Sequence, residues 1–260
     1  RMIERYLGAE TFRAGVRAYV RRHRESNTVA ADLWRALEEA SGEAVEPVVR
    51  AWIEQPGFPL VHLRSTPNGV ELRQERFSAK PGGRASAARW PVPWVGRVGG
   101  GGRSRLERRL VTRAREVVSL GAKAPSFVYG NADEGGFFRP AHDGRLLEAL
   151  RANLNALGAV ERMGLVGHQW ALVRSGRAAL ASLLDLADSL ASERDPDVLL
   201  ALRGPLAFLD DQVAPAAGGD GPARYRGWLA ARFGPAFAGL GWSAGADEDD
   251  DTLLRRAALL

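Results

Sequence analysis

Residues 52–59 read WIEQPGFP and separate two regions of different sequence pattern. Before them apolar residues recur at helical spacing, and after them the spacing changes to short alternating runs. Pro56 and Gly57 are poor continuations of a helix. The next run, FPLVHL at 58–63, is short, apolar and bounded by turn residues, which is typical of a strand. We therefore predict that a helical region ends at residue 57 and that a β region begins at residue 58.

Three helices are predicted before this boundary. The residues expected on one face of the first helix are Phe12, Val16, Tyr19, Val20 and His23. Thr28 is the predicted N-cap of the second helix and Gly42 its end. Pro47 suits the first turn of the third helix.

Short strands are predicted after the boundary. TPNG at 66–69 is a reverse-turn sequence, and the glycines at 99–102 suit the tip of a hairpin. Further strand candidates are residues 90–98, 106–112, 116–120 and 127–129. Many short strands without an intervening helix predict an antiparallel β-sandwich or barrel.

Residues 140–260 return to helical spacing. Asp143 is the predicted N-cap of a helix that ends at Gly158, and Asp195 and Pro196 open a later helix. A second predicted apolar face consists of Leu180, Leu183, Leu184, Ala187 and Leu190. An acidic run at 247–251 precedes the last helix. The prediction is a multidomain α+β protein with boundaries at 1–57, 58–139 and 140–260, the last part being stacked helical hairpins.

The composition excludes several classes of protein. The chain has 260 residues, 45% of them hydrophobic, and no Cys, which removes disulfide frameworks and thiol chemistry. No apolar run approaches the length of a membrane span, so none is expected. The chain starts at Arg1 without an initiator Met, and we expect a piece of a longer protein.

Three apparent motifs lack a residue or a spacing that their chemistry requires. Ser243 lies in GWSAG at 241–245, which matches a nucleophile elbow, but no His follows it in the chain. The glycines at 99–102 are followed by Arg103 where a phosphate-binding loop needs Lys. The four histidines are far apart and lack metal-ligand spacing; they are His23, His62, His142 and His168. We predict no catalytic, cofactor-binding or metal-binding residue in this chain.

The positive charge lies in the middle of the chain. Residues 61–140 carry fifteen basic and six acidic residues, net +9, whereas 141–260 carry twelve and sixteen, net −4. The most basic stretch contains Arg103, Arg105, Arg108, Arg109, Arg113 and Arg115. All except Arg108 share parity, so on one strand they would share one face. Such a face fits either a polyanion-binding surface or a solvated or domain-contact surface.

Three stretches together resemble the C-terminal half of M1-family zinc aminopeptidases. The first begins RMIERYLG at 1–8 and ends WIEQPGFP at 52–59, similar to the last helices of the family's thermolysin-like catalytic domain. The second is WPVP at 90–93, similar to a strand of the family's small β-sandwich. The third is YGNADEGGFFR at 129–139, similar to the segment before its helical C-terminal domain. The following PAHD departs from the family, which usually has an aromatic residue before the Asp.

The resemblance implies a cytoplasmic, zinc-dependent aminopeptidase whose substrates are peptides. This chain would contact its own catalytic domain, and its helical domain would wall the active-site cleft. The family's H-E-x-x-H and G-x-M-x-N motifs are absent, since the methionines, Met2 and Met163, lie in other contexts. Tyr6 and Tyr19 fall at helix positions and are expected to pack. The chain alone is therefore expected to be inactive and to bind neither zinc nor membranes.

An alternative from another functional class stays open at this point. The chain could be a stand-alone interaction module whose basic sheet face binds an acidic partner or nucleic acid. We expect the peptidase fragment rather than the nucleic-acid binder, because aromatic residues are absent between Trp94 and Phe127.

Overall fold

The computed structural model describes residues 1–82, 86–121, 123–245 and 247–260. It contains two compact units: the first ends at Ala156, and the second begins at Leu157 and also includes Ala79–Gly82. In the described part of the chain, no helix combines the length and apolarity needed to cross a membrane.

The first unit begins with four helices, which confirms the predicted helical region. They are α1 (Met2–Leu7), α2 (Ala9–Arg22), α3 (Ala30–Ser41) and α4 (Glu46–Glu54). Gly42 ends α3 in the left-handed conformation, and Pro47 lies in the first turn of α4, both as predicted. Of the residues expected on one face of this helix, Val20 is half exposed.

The N-cap prediction for α3 is wrong by one residue. Val29 occupies the cap, and its N–H is bonded by the Asp32 carboxylate at 3.0 Å. Thr28 instead pairs its hydroxyl with that of Tyr19 at 2.7 Å. Asp32 is the third residue of the helix, and its carboxylate bonds the backbone N–H of the N-cap residue, as in one half of a capping box.

Helices α2 and α3 approach closely at Gly15. Leu37 is fully buried there, and a Cβ on Gly15 would lie 2.8 Å from Leu37 Cδ2 and 3.1 Å from the Ala36 carbonyl oxygen. Around this point the helices form their own apolar cluster, which consists of Ile3, Leu7, Phe12, Val16, Leu33, Trp34, Leu37, Val45 and Val49.

Seven strands follow α4 in the described residues. They are β1 (Pro59–Thr66), β2 (Gly69–Arg76), β3 (Val92–Gly100), β4 (Arg103–Val111), β5 (Arg115–Ser119), β6 (Phe127–Tyr129) and β7 (Arg139–His142). They form one sheet in the order β5-β2-β1-β7 and another in the order β4-β3-β6. The turn at 66–69 joins β1 to β2, and the glycines at 101–102 turn β3 into β4, as predicted.

One hydrophobic cluster takes side chains from both sheets, which is the packing of a β-sandwich. Its buried members include Val61, Leu63, Val70, Leu72, Trp90, Val92, Trp94, Val98, Val111, Val118 and Val128. The prediction that all strands are antiparallel is wrong, because β7 runs parallel to β1 from Leu60–Arg139 to Leu63–His142. β7 was not predicted because it is only four residues long and contains Pro140, which an edge strand tolerates.

The first helix after the sandwich, α5 (Gly144–Arg151), belongs to the first unit. Asp143 caps it as predicted, accepting a bond from Leu146 N at 2.8 Å, and its other oxygen accepts from Ser65 N at 2.8 Å. The helix does not continue to Gly158: it ends at Arg151, and a 3-10 turn at Leu154–Ala156 follows. The three-domain division at 57 and 139 stays a prediction.

The second unit is helical. Its helices are α6 (Ala159–Arg174), α7 (Leu180–Ser189), α8 (Pro196–Phe208), α9 (Gly221–Ala238) and α10 (Asp250–Leu259). Asp195 caps α8 and Asp249 caps α10, which confirms both acidic start signals. Helix α6 was not predicted, because its buried residues include Glu161, His168 and Gln169 and so leave no simple apolar stripe.

The start of α8 is tied to α6 by an ion pair. Arg162 Nε lies 2.6 Å from Glu193 Oε2, and the Glu193 side chain is only 8% exposed. Burial raises the pKa of Glu193, but the hydrogen bonds from Arg162 and from the backbone of Asp195 and Arg194 outweigh it and hold the pKa below its ordinary value.

The first prediction concerns Gly15. Gly15→Ala should lower the free energy of unfolding by about 1–3 kcal/mol, because the new methyl group overpacks the contact with Leu37. Gly227→Ala in α9 is the matched control: nothing lies within 4 Å of its Cβ position, so helix propensity should stabilise it by about 0.5–1 kcal/mol. Denaturant unfolding measures both, and a stabilised Gly15→Ala variant would contradict the packing.

The second prediction concerns Glu193. Its lowered pKa means that the ion pair contributes fully above the unfolded-state pKa and is lost as the pH falls through the folded-state value, below about 4.5. Glu193→Gln should therefore destabilise the second unit by about 1.5–3 kcal/mol at neutral pH and make its stability depend less on pH in the acid range. Thermal unfolding at several pH values checks this, and equal pH slopes for the two proteins would refute it.

Candidate functional site

The loop between β6 and β7 is organised by one asparagine. We call residues 131–136 the junction loop. Asn131 Oδ1 accepts a bond from Gly136 N at 2.8 Å, and its Nδ2 donates to Gly136 O at 3.2 Å. Inside this closed loop Asp133 and Glu134 both adopt positive φ, at 53° and 50°. Two successive non-glycine residues in this conformation are strained and are held there by the contacts they make.

Asp133 joins the helices to the sandwich. Its Oδ1 lies 3.0 Å from Arg97 Nη2 on β3, and its Oδ2 lies 3.3 Å from Arg5 Nη1 on α1. Its backbone oxygen also accepts a bond from Arg1 Nη2 at 2.5 Å. Helix α1 contacts β3 at the same place. One strained residue therefore binds arginines from two elements that are distant in sequence.

Glu134 ties the junction loop to the core of the sandwich. Its carboxylate accepts the hydroxyl proton of the fully buried Tyr129 and a longer bond from Asn131 Nδ2 at 3.3 Å. The Tyr129 ring stacks on His142 with centroids 5.6 Å apart. His142 Nε2 accepts a bond from Gly130 N at 3.0 Å.

An aromatic cluster makes the second connection between the helices and the sandwich. It consists of Trp52, Phe58, Phe77, Trp90 and Phe137, with neighbouring ring centroids 5.4–6.3 Å apart. Trp52 on α4 packs on the sandwich core and donates its indole N–H to the Pro91 oxygen at 2.9 Å. Gln55 donates to the Arg89 oxygen at 3.0 Å.

Gly57 and Arg139 complete this cluster. Gly57 has φ 97°, and a Cβ there would lie 2.7 Å from Arg76 Nε, so the turn from α4 into β1 requires glycine. The Arg139 guanidinium lies 5.2 Å from the centroid of the Phe77 ring, a cation–π contact. Burial lowers the pKa of Arg139, and the charge of Glu134 opposes the shift. The aromatic residues of WIEQPGFP and GFFR thus meet in space.

The basic stretch is divided between the two sheets. Arg105 and Arg109 lie opposite Val98 and Trp94 of the core cluster, so they share the core-facing side of β4, as their parity predicts. Because β4 is an edge strand, these side chains cross the open side of the sandwich towards β5. Arg109 Nε lies 2.8 Å from Glu116, and Arg105 Nη2 donates to the Leu120 oxygen at 2.7 Å.

The condition for a shared five-arginine face is not met, because these arginines do not lie on one strand. Strand β4 ends at Val111, and the chain enters the other sheet at Arg115, so odd-numbered residues before and after this point do not share one face. Arg113 lies in the connection between the two strands. Arg108 lies on the opposite side of β4 and donates to the Arg5 oxygen at 3.2 Å. Most of these arginines therefore have contacts within the first unit.

The structure places the residues of the rejected motifs on separate elements. Ser243 is exposed in a bend after α9. The histidines lie on different elements, and His62 on β1 is 3.3 Å from Glu75. Within residues 1–82, 86–121, 123–245 and 247–260, no three His, Asp or Glu side chains are grouped to hold a metal ion.

Both tyrosines predicted to pack do so. Tyr6 donates to Glu43 Oε2 at 3.3 Å, and burial, followed by the charge of Glu43, raises its pKa. Tyr19 pairs with Thr28 and contacts the His23 ring at 5.3 Å. Sequence reasoning missed Asp133 as a connecting residue. Its only local signal was the turn-forming composition of NADEGG at 131–136.

Two family sequence models match the chain in order along its length. Residues 1–52 match the Peptidase family M1 domain, and residues 127–260 match the ERAP1-like C-terminal domain. The second match covers the junction loop and the helices that follow it, and the first ends at Trp52 of the aromatic cluster. The chain belongs to the M1 aminopeptidase family.

Named relatives agree with this assignment. Aminopeptidase M1-A of Oryza sativa subsp. japonica is 31% identical over 268 residues, which cover 100% of this chain and 30% of the relative. Tricorn protease-interacting factor F2 of Thermoplasma acidophilum is 32% identical over 184 residues, 71% of this chain and 22% of the relative. Puromycin-sensitive aminopeptidase of Caenorhabditis elegans is 30% identical over 200 residues, 74% of this chain and 21% of the relative. The chain therefore spans less than a third of the length of each of these relatives.

The third prediction isolates the Asp133 charge in this M1 family member. Asn tolerates positive φ, so Asp133→Asn keeps the loop conformation and removes the two ion pairs. It should lower the unfolding free energy of the first unit by about 1–2 kcal/mol. Glu10→Gln, which breaks the exposed Arg13–Glu10 pair, is the control and should change it by less than about 0.5 kcal/mol. Equal effects from the two variants would refute the role of Asp133.

Proposed function

We propose that this chain is the non-catalytic C-terminal portion of a zinc-dependent aminopeptidase that removes N-terminal residues from peptides. The observation that carries the proposal is the order of the two family matches, with the end of the peptidase domain followed by the C-terminal domain on one chain. The chain covers only part of its relatives, so the activity is assigned to the whole enzyme.

Each part of the chain has a role in this proposal. Residues 1–57 form the helical tail of a thermolysin-like catalytic domain, residues 58–139 form the sandwich, and residues 140–260 form the N-terminal part of the helical domain. The helical domain, built of stacked hairpins, walls the cleft and limits access to peptide N-termini. The main partner of this chain is the catalytic domain of the same enzyme. The expected compartment is the cytoplasm.

The zinc of the proposed enzyme does not fit this chain. The described residues offer no grouped His, Asp or Glu ligands, and the sequence has neither H-E-x-x-H nor G-x-M-x-N. We therefore assign the metal ligands and the catalytic groups to other parts of the enzyme. What these residues supply is attachment, because Asp133 and the aromatic cluster hold the helical tail on the sandwich.

The alternative of a stand-alone basic interaction module has less support. The family matches extend over the helices on both sides of the sandwich, which a basic module would not require. Two of the arginines that suggested nucleic-acid binding, Arg105 and Arg109, are engaged with Leu120 and Glu116.

The test compares this chain with a longer protein expressed from the same gene. With an aminoacyl anilide as substrate, the 260-residue chain should show no turnover and no stoichiometric zinc, and the longer protein should show both. As a matched control, the longer protein with both His of its H-E-x-x-H motif replaced by Ala should lose zinc and turnover together. Zinc-dependent turnover by the 260-residue chain, or a longer protein that lacks both motifs, would overturn the proposal.

A further inference from the structure

A cationic cavity lies where β4 connects to β5. It has a volume of about 500 Å³ and is lined by Arg109, Leu110, Thr112, Arg113, Arg115, Glu116 and Val117. The lining therefore contains three guanidinium groups and one carboxylate. A concave site with an excess of guanidinium groups favours carboxylate ligands, since the guanidinium fork matches their geometry.

Two of the three arginines keep capacity for a ligand. The exposed Arg113 side chain forms no ion pair with any described residue. Arg115 lies opposite Arg73 across the sheet, and its nearest carboxylate, Glu71, is 3.8 Å away. Among the described residues that line the cavity, Arg109 alone has a close partner, Glu116 at 2.8 Å.

Strand β5 forms an open edge beside this cavity. It is the terminal strand of its sheet and pairs with β2 alone among the described strands. Gln74 N donates to Ala114 O at 3.0 Å and Leu120 N to Asn68 O at 2.8 Å, so alternate residues from 114 to 120 face β2. In an antiparallel ladder the residues between them turn their N–H and C=O groups to the other side. These residues are Arg115, Val117 and Ser119, and the Val117 side chain is 60% exposed.

We propose that an extended acidic peptide binds here as an added strand on β5. Its backbone would pair with the N–H and C=O groups of Arg115, Val117 and Ser119, which is β-augmentation. Its carboxylates would bind Arg113 and Arg115, and small apolar side chains would pack on Val117. This inference does not depend on the proposed peptidase function.

The lining favours a peptide over a nucleic acid. None of the described residues that line the cavity is aromatic, so bases would have no stacking platform. The exposed Val117 and the half-buried Leu110 provide apolar contacts for side chains of the peptide.

The test is fluorescence anisotropy of the 260-residue chain with a labelled peptide of the repeat Glu-Thr-Val-Thr, which places Glu and Val in turn on one face of the added strand, as Arg115 and Val117 require. We expect saturable binding that weakens with added salt. Arg113→Glu should weaken it about tenfold or more, without changing the fold, because the side chain is exposed and forms no ion pair within the described part of the chain. The matched control is Arg103→Glu at the exposed far end of β4, which should change affinity by less than about twofold.

A second probe tests the strand pairing. The same peptide with alternate backbone nitrogens methylated keeps its charge but cannot form the added ladder, and it should bind at least about tenfold more weakly. Equal binding of both peptides, no binding of the first at low salt, an equal effect of Arg103→Glu, or tighter binding of a single-stranded RNA would each overturn the proposal.

Discussion

The first unit depends on a carboxylate held in a strained loop. Asp133 has positive φ and binds arginines from α1 and β3, so the helices cannot leave the sandwich without breaking these pairs. Asn131 and Glu134 hold the loop closed from within. A second contact joins the helices to the sandwich, because Trp52 of α4 packs against the sandwich core. Polar and aromatic contacts thus join two elements of different structure into one compact unit.

Much of the fold follows from local sequence rules. The change of spacing at 52–59, the turn at 66–69, the glycine tip and the acidic caps of α5, α8 and α10 were all predictable, because they depend on neighbouring residues. The elements that were missed depend on distant ones. Strand β7 exists because β1 offers it an edge, and α6 buries polar residues that satisfy partners elsewhere.

The candidate site was less predictable than the fold. Parity placed Arg105 and Arg109 on one face, but only the sheet order shows that this face closes the open side of the sandwich. No sequence rule could assign Asp133 its role, because its conformation and its arginine partners at positions 1, 5 and 97 are set by tertiary structure. The family was recognisable from the order of its motifs rather than from catalytic residues, because this sequence has neither H-E-x-x-H nor G-x-M-x-N.

The central claim is that the helical tail and the sandwich form one folded unit held at the junction. Native-state hydrogen exchange of α3 and β3 amides tests it most directly, because it measures the opening free energy of each element separately. The account predicts that buried amides of both elements open together, with the same free energy and the same dependence on denaturant. Exchange of the α3 amides through a separate, lower-energy opening, with β3 still protected, would contradict it.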